Sequence, residues 1–232
     1  MSNYDISKLK IPVICGPTAA GKSAIALELA REYGYEIISA DSRQMVKYMD
    51  IGTAKPTKEE QKLAPHHFID IIEPEDEAYN SYMYGNEVRK LLSKLYSEGK
   101  KALICGGSGL YIHSAVQGFF EDLGIDDSEK FEYRKVLERT PLSELYEKLK
   151  AVDPRYAETT PATQKQRIHR ALEVFRLTGR KISELHSEHR PGQYFQPVYI
   201  GINSERKFLF DRINSRVIKM LDDGLIEEVE GL

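Results

Sequence analysis

Residues 16–23 read GPTAAGKS, a glycine followed by four residues and then Gly-Lys-Ser. This stretch constrains the fold most tightly, because the pattern has a physical use only between a strand and a helix. The apolar run KIPVIC precedes it, and SAIALELAREYG follows with the spacing of an amphipathic helix. In that setting the loop's backbone N–H groups converge on an anion at the helix N-terminus. Lys22 adds a point charge, and the Ser23 hydroxyl is suited to ligate Mg²⁺. Gly16, Pro17, Thr18, Ala19, Ala20, Gly21, Lys22 and Ser23 are therefore the candidate phosphate loop. The loop alone does not say which phosphate compound it holds.

A chain of 232 residues that is 41% hydrophobic can bury a sizeable core, as one large domain or one domain carrying an insertion. The formal net charge of −3 gives no global attraction for nucleic acid, so a polyanionic partner needs a local basic surface. Cys15 and Cys105 each end an apolar run just before a glycine loop, which reads as two small buried residues in a reducing compartment rather than a disulfide. No apolar stretch approaches bilayer length, and MSNYDISKLK lacks the apolar centre of a signal peptide. The expectation is a soluble, cytoplasmic monomer with no membrane partner.

Strand-like runs recur as IPVIC, YEIISA, HHFIDII, KALIC and QPVYIGI, mostly separated by helical patterns such as Ser81 to Glu98. That alternation predicts an α/β fold, a P-loop NTPase-like parallel sheet flanked by helices. The tract from Glu121 to about Arg190 breaks the rhythm with several helical patterns and no convincing strand, and it opens on acidic EDLGIDDSE. It reads as a helical insertion domain at 121–190, with 1–120 and 191–232 forming the core. The last helix is expected to begin near Ser204.

Several residues are placed where chemistry happens. The second strand delivers Asp41 to the carboxyl end of the sheet, the ligand side of open α/β folds. There a carboxylate can bind Mg²⁺, cap the next turn through Ser42, or take a proton from a nucleophile. In CGGSGLYI, Cys105 stands where an NTP-hydrolysing site usually carries aspartate, and Ser108 either touches a ligand or caps the following helix. In SERKFLFDRINSRVIKMLDDG, Arg216 falls in one stripe with Leu209, Ile213 and Met220, and Arg212 lies one turn earlier. A cation in an apolar stripe is costly unless paired, so Arg216 requires an internal carboxylate, a snorkelling path or a bound anion.

Thr163 to Arg190 holds seven Lys or Arg against three Glu, a net of +4. Within it QKQRIHRALEVF is amphipathic. Ile168, Ala171, Leu172 and Phe175 make the buried stripe, leaving Gln166 and Arg170 opposite and Arg167 at the flank. This face either binds RNA phosphates or is a solvated charged surface. His66 and His67 lack metal-ligand spacing and read as packing or hydrogen-bonding residues.

Taken in order, GPTAAGKS, ISADSRQ, MDIGTAKPT, APHHFIDI, GGSGLYI, QRIHRALEVFRLTG and RINSRVIKMLDDGLIEEV resemble the tRNA dimethylallyltransferases, also called tRNA isopentenyltransferases. The resemblance runs from about residue 11 to 232. It implies transfer of a dimethylallyl group from dimethylallyl diphosphate to the exocyclic amine of the adenosine just 3′ of a tRNA anticodon. The phosphate loop, with Arg212, would then hold the donor diphosphate, with Mg²⁺ at Ser23. Thr18 and Arg216 match donor-site positions that assist catalysis, and Asp41 matches the base at the adenine amine. Asp41, Ser42, Arg43, Gln44, Ser108, Arg134 and the run Gln166, Arg167, Ile168, His169, Arg170 match positions that contact tRNA.

Val46 stands where the family usually has tyrosine, Met83 where aspartate is common, and Ser108 replaces a threonine. Family members continue beyond the segment that EEVEGL matches, so an intact donor site and a reduced tRNA surface are expected. Two other enzymes share these parts, a transferase that modifies free adenine nucleotides and a small-molecule kinase in which the loop binds ATP. A fragment that binds donor or RNA without turnover is the non-enzymatic reading.

Overall fold

The computed structural model describes residues 4–75, 79–118, 127–188 and 192–232. Residues 121–126 of the acidic opening, Arg190, and the domain boundaries expected at 120/121 and 190/191 lie outside the described residues. The chain divides into two compact units, Met1–Gly118 with Gly192–Leu232, and Phe119–Pro191.

The first unit is built on five parallel strands, β1 (Lys10–Cys15), β2 (Tyr35–Ser39), β3 (His66–His67), β4 (Lys101–Gly106) and β5 (Gln196–Gly201), in the order β3-β2-β4-β1-β5. Helices α1 (Lys22–Tyr33), α2 (Lys58–Leu63), α3 (Ser81–Ser97) and α4 (Gly109–Gln117) connect them. The inner strands β1, β2 and β4 are largely apolar and buried because both of their faces are covered, whereas the edge strand β5 is mostly exposed. Ile11, Val13, Ile38 and Ile104 pack with Tyr84, Val88 and Leu92 of α3 and Ile112 of α4. Their strand neighbours Ile14, Ile37 and Leu103 face the other way, onto Ala26 and Ala30 of α1. This is the period-two alternation of a strand. Asn80 starts α3 by accepting from the backbone N–H groups of Tyr82 and Met83 at 3.0 and 3.1 Å.

Three expectations need correction. HHFIDII is a strand only at His66–His67, because Phe68 and Asp70 take positive φ values of 62° and 55°. Phe68 turns edge-on to Tyr84 at 4.9 Å and Asp70 pairs with Lys55 at 2.5 Å, and those contacts replace an extended run. The late helix begins at Arg206, since the Asn203 side chain accepts from the Ser204 N–H at 2.9 Å and holds the chain in a turn. Cys105 is buried, whereas Cys15 is only partly so; both thiols are free.

The second unit is helical, with α5 (Asp127–Arg139), α6 (Leu142–Val152), α7 (Pro154–Thr159), α8 (Lys165–Thr178) and α9 (Ile182–Glu188). Its core gathers Leu137, Leu145, Leu149, Ile168, Ala171, Leu172 and Ile182. Asp153 fastens two of these helices. Its carboxylate accepts from the Tyr156 N–H at 3.1 Å and from the Ser183 N–H and hydroxyl at 2.9 and 2.7 Å. Burial opposes the charge, but the Ser183 and Tyr156 hydrogen bonds outweigh it and hold the Asp153 carboxyl below its ordinary range. On α8 the expected stripe holds at Ile168, Ala171 and Leu172, while Phe175 is half-buried and Val174 takes the interior place.

After β5 the first unit ends in α10 (Arg206–Asp222) and α11 (Leu225–Glu230). No residue of α10 is fully buried, but Leu209, Ile213, Arg216 and Met220 are its less exposed positions, in the register read from the sequence. No described helix is long and apolar enough to cross a membrane.

Candidate functional site

The site is a cleft of about 810 Å³ at the carboxyl ends of the strands, lined entirely by the first unit. The phosphate loop shapes one wall. Gly16, at φ 152°, lies so close to the end of β5 that a Cβ would sit 2.1 Å from the Ile202 carbonyl oxygen, so only glycine fits. The Pro17 carbonyl accepts from Lys22 Nζ at 2.8 Å and from the Ala20 N–H at 3.3 Å, and Ala19 is left-handed at φ 63°. Ala20 is buried beneath the loop, while Thr18 and Ser23 are exposed and line the cleft. Gly21, left-handed at φ 94°, is the N-cap of α1 and spends no side chain on the helix's first N–H groups. The helix N-terminus is therefore open to an anion.

Asp41 enters from the end of β2, which β4 separates from β1 in the sheet. The carbonyl of Ala40 accepts from the Ser108 N–H at 3.1 Å, while Gly106 passes so close that a Cβ would meet that carbonyl oxygen at 2.1 Å. Asp41 Oδ1 accepts from the Arg43 N–H at 3.0 Å, which is the local turn, and Oδ2 has no partner among the described residues. Ser108 occupies the N-cap position of α4 without capping it. Its hydroxyl oxygen accepts from the Ser42 N–H at 3.1 Å and lies 3.4 Å from the Ser42 hydroxyl. The side chain thus braces the Asp41 turn. Arg43 is exposed. Burial pushes the Cys105 thiol up to about 11, which keeps it protonated and removes it as a nucleophile.

Arg212 and Arg216 reach the cleft from α10. Arg212 Nη1 donates to the Ala19 carbonyl at 3.3 Å and Arg216 Nη2 to the Thr53 carbonyl at 3.4 Å. Neither forms an ion pair among the described residues. The internal carboxylate that would have made Arg216 structural is absent among them, and a long carbonyl contact leaves a guanidinium's charge largely uncompensated.

Sequence reasoning missed the loop Asp50–Lys55, which also lines the cleft. Lys55 is buried and held by Asp50 at 2.6 Å, Asp70 at 2.5 Å and the Val46 carbonyl at 2.8 Å. Gln44 takes the Ser39 hydroxyl on its oxygen at 3.0 Å and donates to the Thr53 and Ala54 carbonyls at 3.4 and 3.1 Å. The only sequence signal was MDIGTAKPT as one of the motifs that carry the resemblance, since pairing across fifteen residues leaves no periodic trace. His66 and His67 are hydrogen-bonding residues, to the Ala64 carbonyl and to Glu36. No group of three or more His, Cys, Asp or Glu poised for a metal stands among the described residues.

The candidates of the insertion lie in the second unit. Gln166, Arg167 and Arg170 are exposed on α8 and His169 is half-buried. Ile168 is a correction, because its side chain has no exposure and belongs to the unit's core. The basic tract is also less free than its count suggested. Glu173, buried, pairs with both Arg134 at 2.7 Å and Arg170 at 2.9 Å, and Lys165 pairs with Glu138 of α5 at 2.5 Å. Arg180 pairs with Glu188 and Lys181 with Glu184. Arg167 and Arg176 form no ion pair among the described residues.

A parallel sheet whose first loop leaves a helix N-terminus open to an anion, with the end of the second strand at the same cleft, defines a P-loop-like α/β protein. The family described as IPP transferase matches residues 44–232. The chain is 41% identical over 230 residues to the tRNA dimethylallyltransferase of Desulfotalea psychrophila, covering 98% of this chain and 73% of that one. It is 45% identical over 230 residues to a Thermoanaerobacter tRNA dimethylallyltransferase, covering 97% and 72%. Among solved structures, the full-length tRNA isopentenylpyrophosphate transferase from Bacillus halodurans superposes with a TM-score of 0.65 at 34% identity, over 97% of this chain and 70% of that one. A eukaryotic dimethylallyltransferase acting on tRNA superposes with a TM-score of 0.79 at 28% identity, over 97% and 56%. The chain belongs to the IPP transferase family.

Proposed function

We propose that this chain transfers the dimethylallyl group of dimethylallyl diphosphate to the exocyclic N6 amine of the adenosine 3′-adjacent to a tRNA anticodon, releasing diphosphate. One observation carries the reading: Lys22, Arg212 and Arg216 share one cleft with Asp41, and among the described residues none of the three cations is ion-paired; each donates to a backbone carbonyl, and Arg212 also stacks on Phe208 at 4.5 Å. Three such charges call for a polyanion, and a diphosphate supplies one.

The chemistry follows from the allylic carbon, which reacts once its leaving diphosphate is stabilised. The amides of the phosphate loop, Lys22, Arg212 and Arg216 take up the charge that develops on the leaving oxygen as the C–O bond breaks, and Thr18 stands beside them at the loop. Asp41 accepts the proton that the amine loses as the N–C bond forms, because an exocyclic amine is a weak nucleophile while its lone pair is delocalised. The Ser23 hydroxyl, exposed in the cleft at the start of α1, would hold Mg²⁺. When bound, Mg²⁺ neutralises the leaving group. To reach Asp41 the adenine leaves the anticodon-loop stack. Ser42, Arg43, Gln44 and Ser108, and in the second unit Arg134, Gln166, Arg167, His169 and Arg170, are the tRNA contacts in this reading.

The test is product identity. The protein is incubated with dimethylallyl diphosphate and Mg²⁺ together with unmodified tRNA, AMP or ATP in parallel, and nucleosides are identified by mass spectrometry. Dimethylallyl adenosine in tRNA alone is expected. Product on AMP or ATP instead moves the acceptor to free nucleotides, and ATP consumption with a phosphorylated product makes the protein a kinase.

A further inference from the structure

The Glu228 carboxylate of α11 caps three consecutive backbone N–H groups, accepting from Asp50 at 2.7 Å, Ile51 at 2.6 Å and Gly52 at 2.9 Å. Successive amides converging on one point form an anion cradle, and here the protein's own side chain fills it. The fit is close from the other side as well. A Cβ on Gly52 would meet Leu225 Cδ1 at 3.1 Å and Glu228 Oε1 at 3.4 Å.

The segment held in this way lines the cleft through Asp50, Ile51 and Thr53. Its next carbonyl, that of Thr53, is the one polar contact of Arg216 among the described residues and also accepts from Gln44, while the Thr53 hydroxyl is tied back to the Met49 carbonyl at 2.6 Å. Glu228 itself does not line the cleft.

We infer that Glu228 is a positioning residue: by filling the amide cradle of Asp50–Gly52 it fixes the Thr53 carbonyl and so aims the Arg216 guanidinium at the donor's diphosphate, an inference that rests on the diphosphate reading of the cleft. Three charge-assisted hydrogen bonds converge on the turn, and charge-assisted bonds are the strong ones. Their loss lets the turn relax and leaves Arg216 without its stop. Because Glu228 acts through Arg216, the two residues are energetically coupled rather than independent.

A double-mutant cycle tests this by calorimetry with inorganic diphosphate and Mg²⁺, repeated with dimethylallyl diphosphate, on the full chain and on Glu228→Ala, Arg216→Ala and the double variant. The expected losses of affinity are about tenfold for Glu228→Ala and about tenfold to a hundredfold for Arg216→Ala, with the double variant no weaker than Arg216→Ala alone. Unchanged affinity in folded Glu228→Ala overturns the inference, and so do losses that multiply, which is what a merely structural Glu228 gives. Should Glu228→Ala fail to fold, Glu228→Gln enters the cycle in its place. The amide side chain keeps the volume and one carbonyl acceptor, so a smaller loss that again vanishes on Arg216→Ala is expected, and a loss that persists overturns it. A chain that binds diphosphate yet makes no modified tRNA refutes the functional reading and leaves the cycle decisive for Glu228.

Discussion

The cleft of the first unit and the basic face of the second use cations in opposite ways. Among the described residues Lys22, Arg212 and Arg216 meet no carboxylate and donate to carbonyl oxygens at 2.8, 3.3 and 3.4 Å, whereas Arg134, Arg170 and Lys165 are matched to Glu173 and Glu138 at 2.5 to 2.9 Å. The first arrangement leaves charge in place before any ligand arrives, which is what electrostatic preorganisation requires. The second makes an incoming phosphate compete with a carboxylate. The net of +4 counted over Thr163 to Arg190 therefore overstates the free charge of that face.

The contrast breaks most visibly at Asp41, the one carboxylate beside the cleft's cations that the proposed chemistry uses. Asp41→Asn keeps the turn bond to Arg43 and removes the proton acceptor, so single-turnover transfer is expected to slow by about 100-fold to 10,000-fold with donor affinity little changed. Near-normal turnover in the folded variant overturns the base assignment, and a large loss of Mg²⁺-dependent donor affinity makes Asp41 a metal-site residue.

Next in size is Lys22→Ala. A charge-assisted contact is worth about 1.5–3 kcal/mol, so donor affinity measured by calorimetry is expected to fall about tenfold to a hundredfold. In the second unit the unpaired Arg167 and the paired Arg170 sharpen the comparison. Arg167→Ala is expected to weaken tRNA binding several-fold and to lower the salt slope by about one unit, while Arg170→Ala does less because Glu173 already neutralises it. Equal effects in filter-binding titrations across salt concentrations would erase the distinction between free and paired cations.

The smallest effect concerns protons. Burial holds the His66 imidazole below its ordinary value of 6.5. Between the folded value and 6.5 the unfolded chain binds the proton more readily, so stability falls as pH drops below about 6.5 and levels off once both states are protonated. His66→Gln is expected to flatten that dependence in urea unfolding at pH 7.5 and 5; the same slope in both proteins contradicts it.

Much of the first unit was legible because its signals are local. GPTAAGKS needs the conformations of Gly16 and Gly21, and the strands alternate Ile37 and Ile38, or Leu103 and Ile104, between two helix-covered faces. The Arg216 stripe was readable from helical spacing, since position on a helix depends only on sequence distance. HHFIDII failed where a tertiary contact won, with Phe68 drawn to Tyr84 and Asp70 to Lys55. The bracing of Ser42 by Ser108, the pair between Arg134 and Glu173 and the cradle filled by Glu228 were invisible for the same reason, because each joins residues whose separation carries no period, whereas the i,i+3 pair of Arg170 with Glu173 lies within one helix. Ile168 carried two incompatible readings, a core position and an RNA contact, and burial decided for the core.

Calorimetric titration of dimethylallyl diphosphate with Mg²⁺ into the wild-type chain, Arg216→Ala and Arg167→Ala tests most directly whether the unpaired cations of the cleft hold the donor. The expected result is equal binding by wild type and Arg167→Ala and a loss of about tenfold to a hundredfold in Arg216→Ala. Unchanged binding by a folded Arg216→Ala, or a comparable loss in Arg167→Ala, contradicts the account.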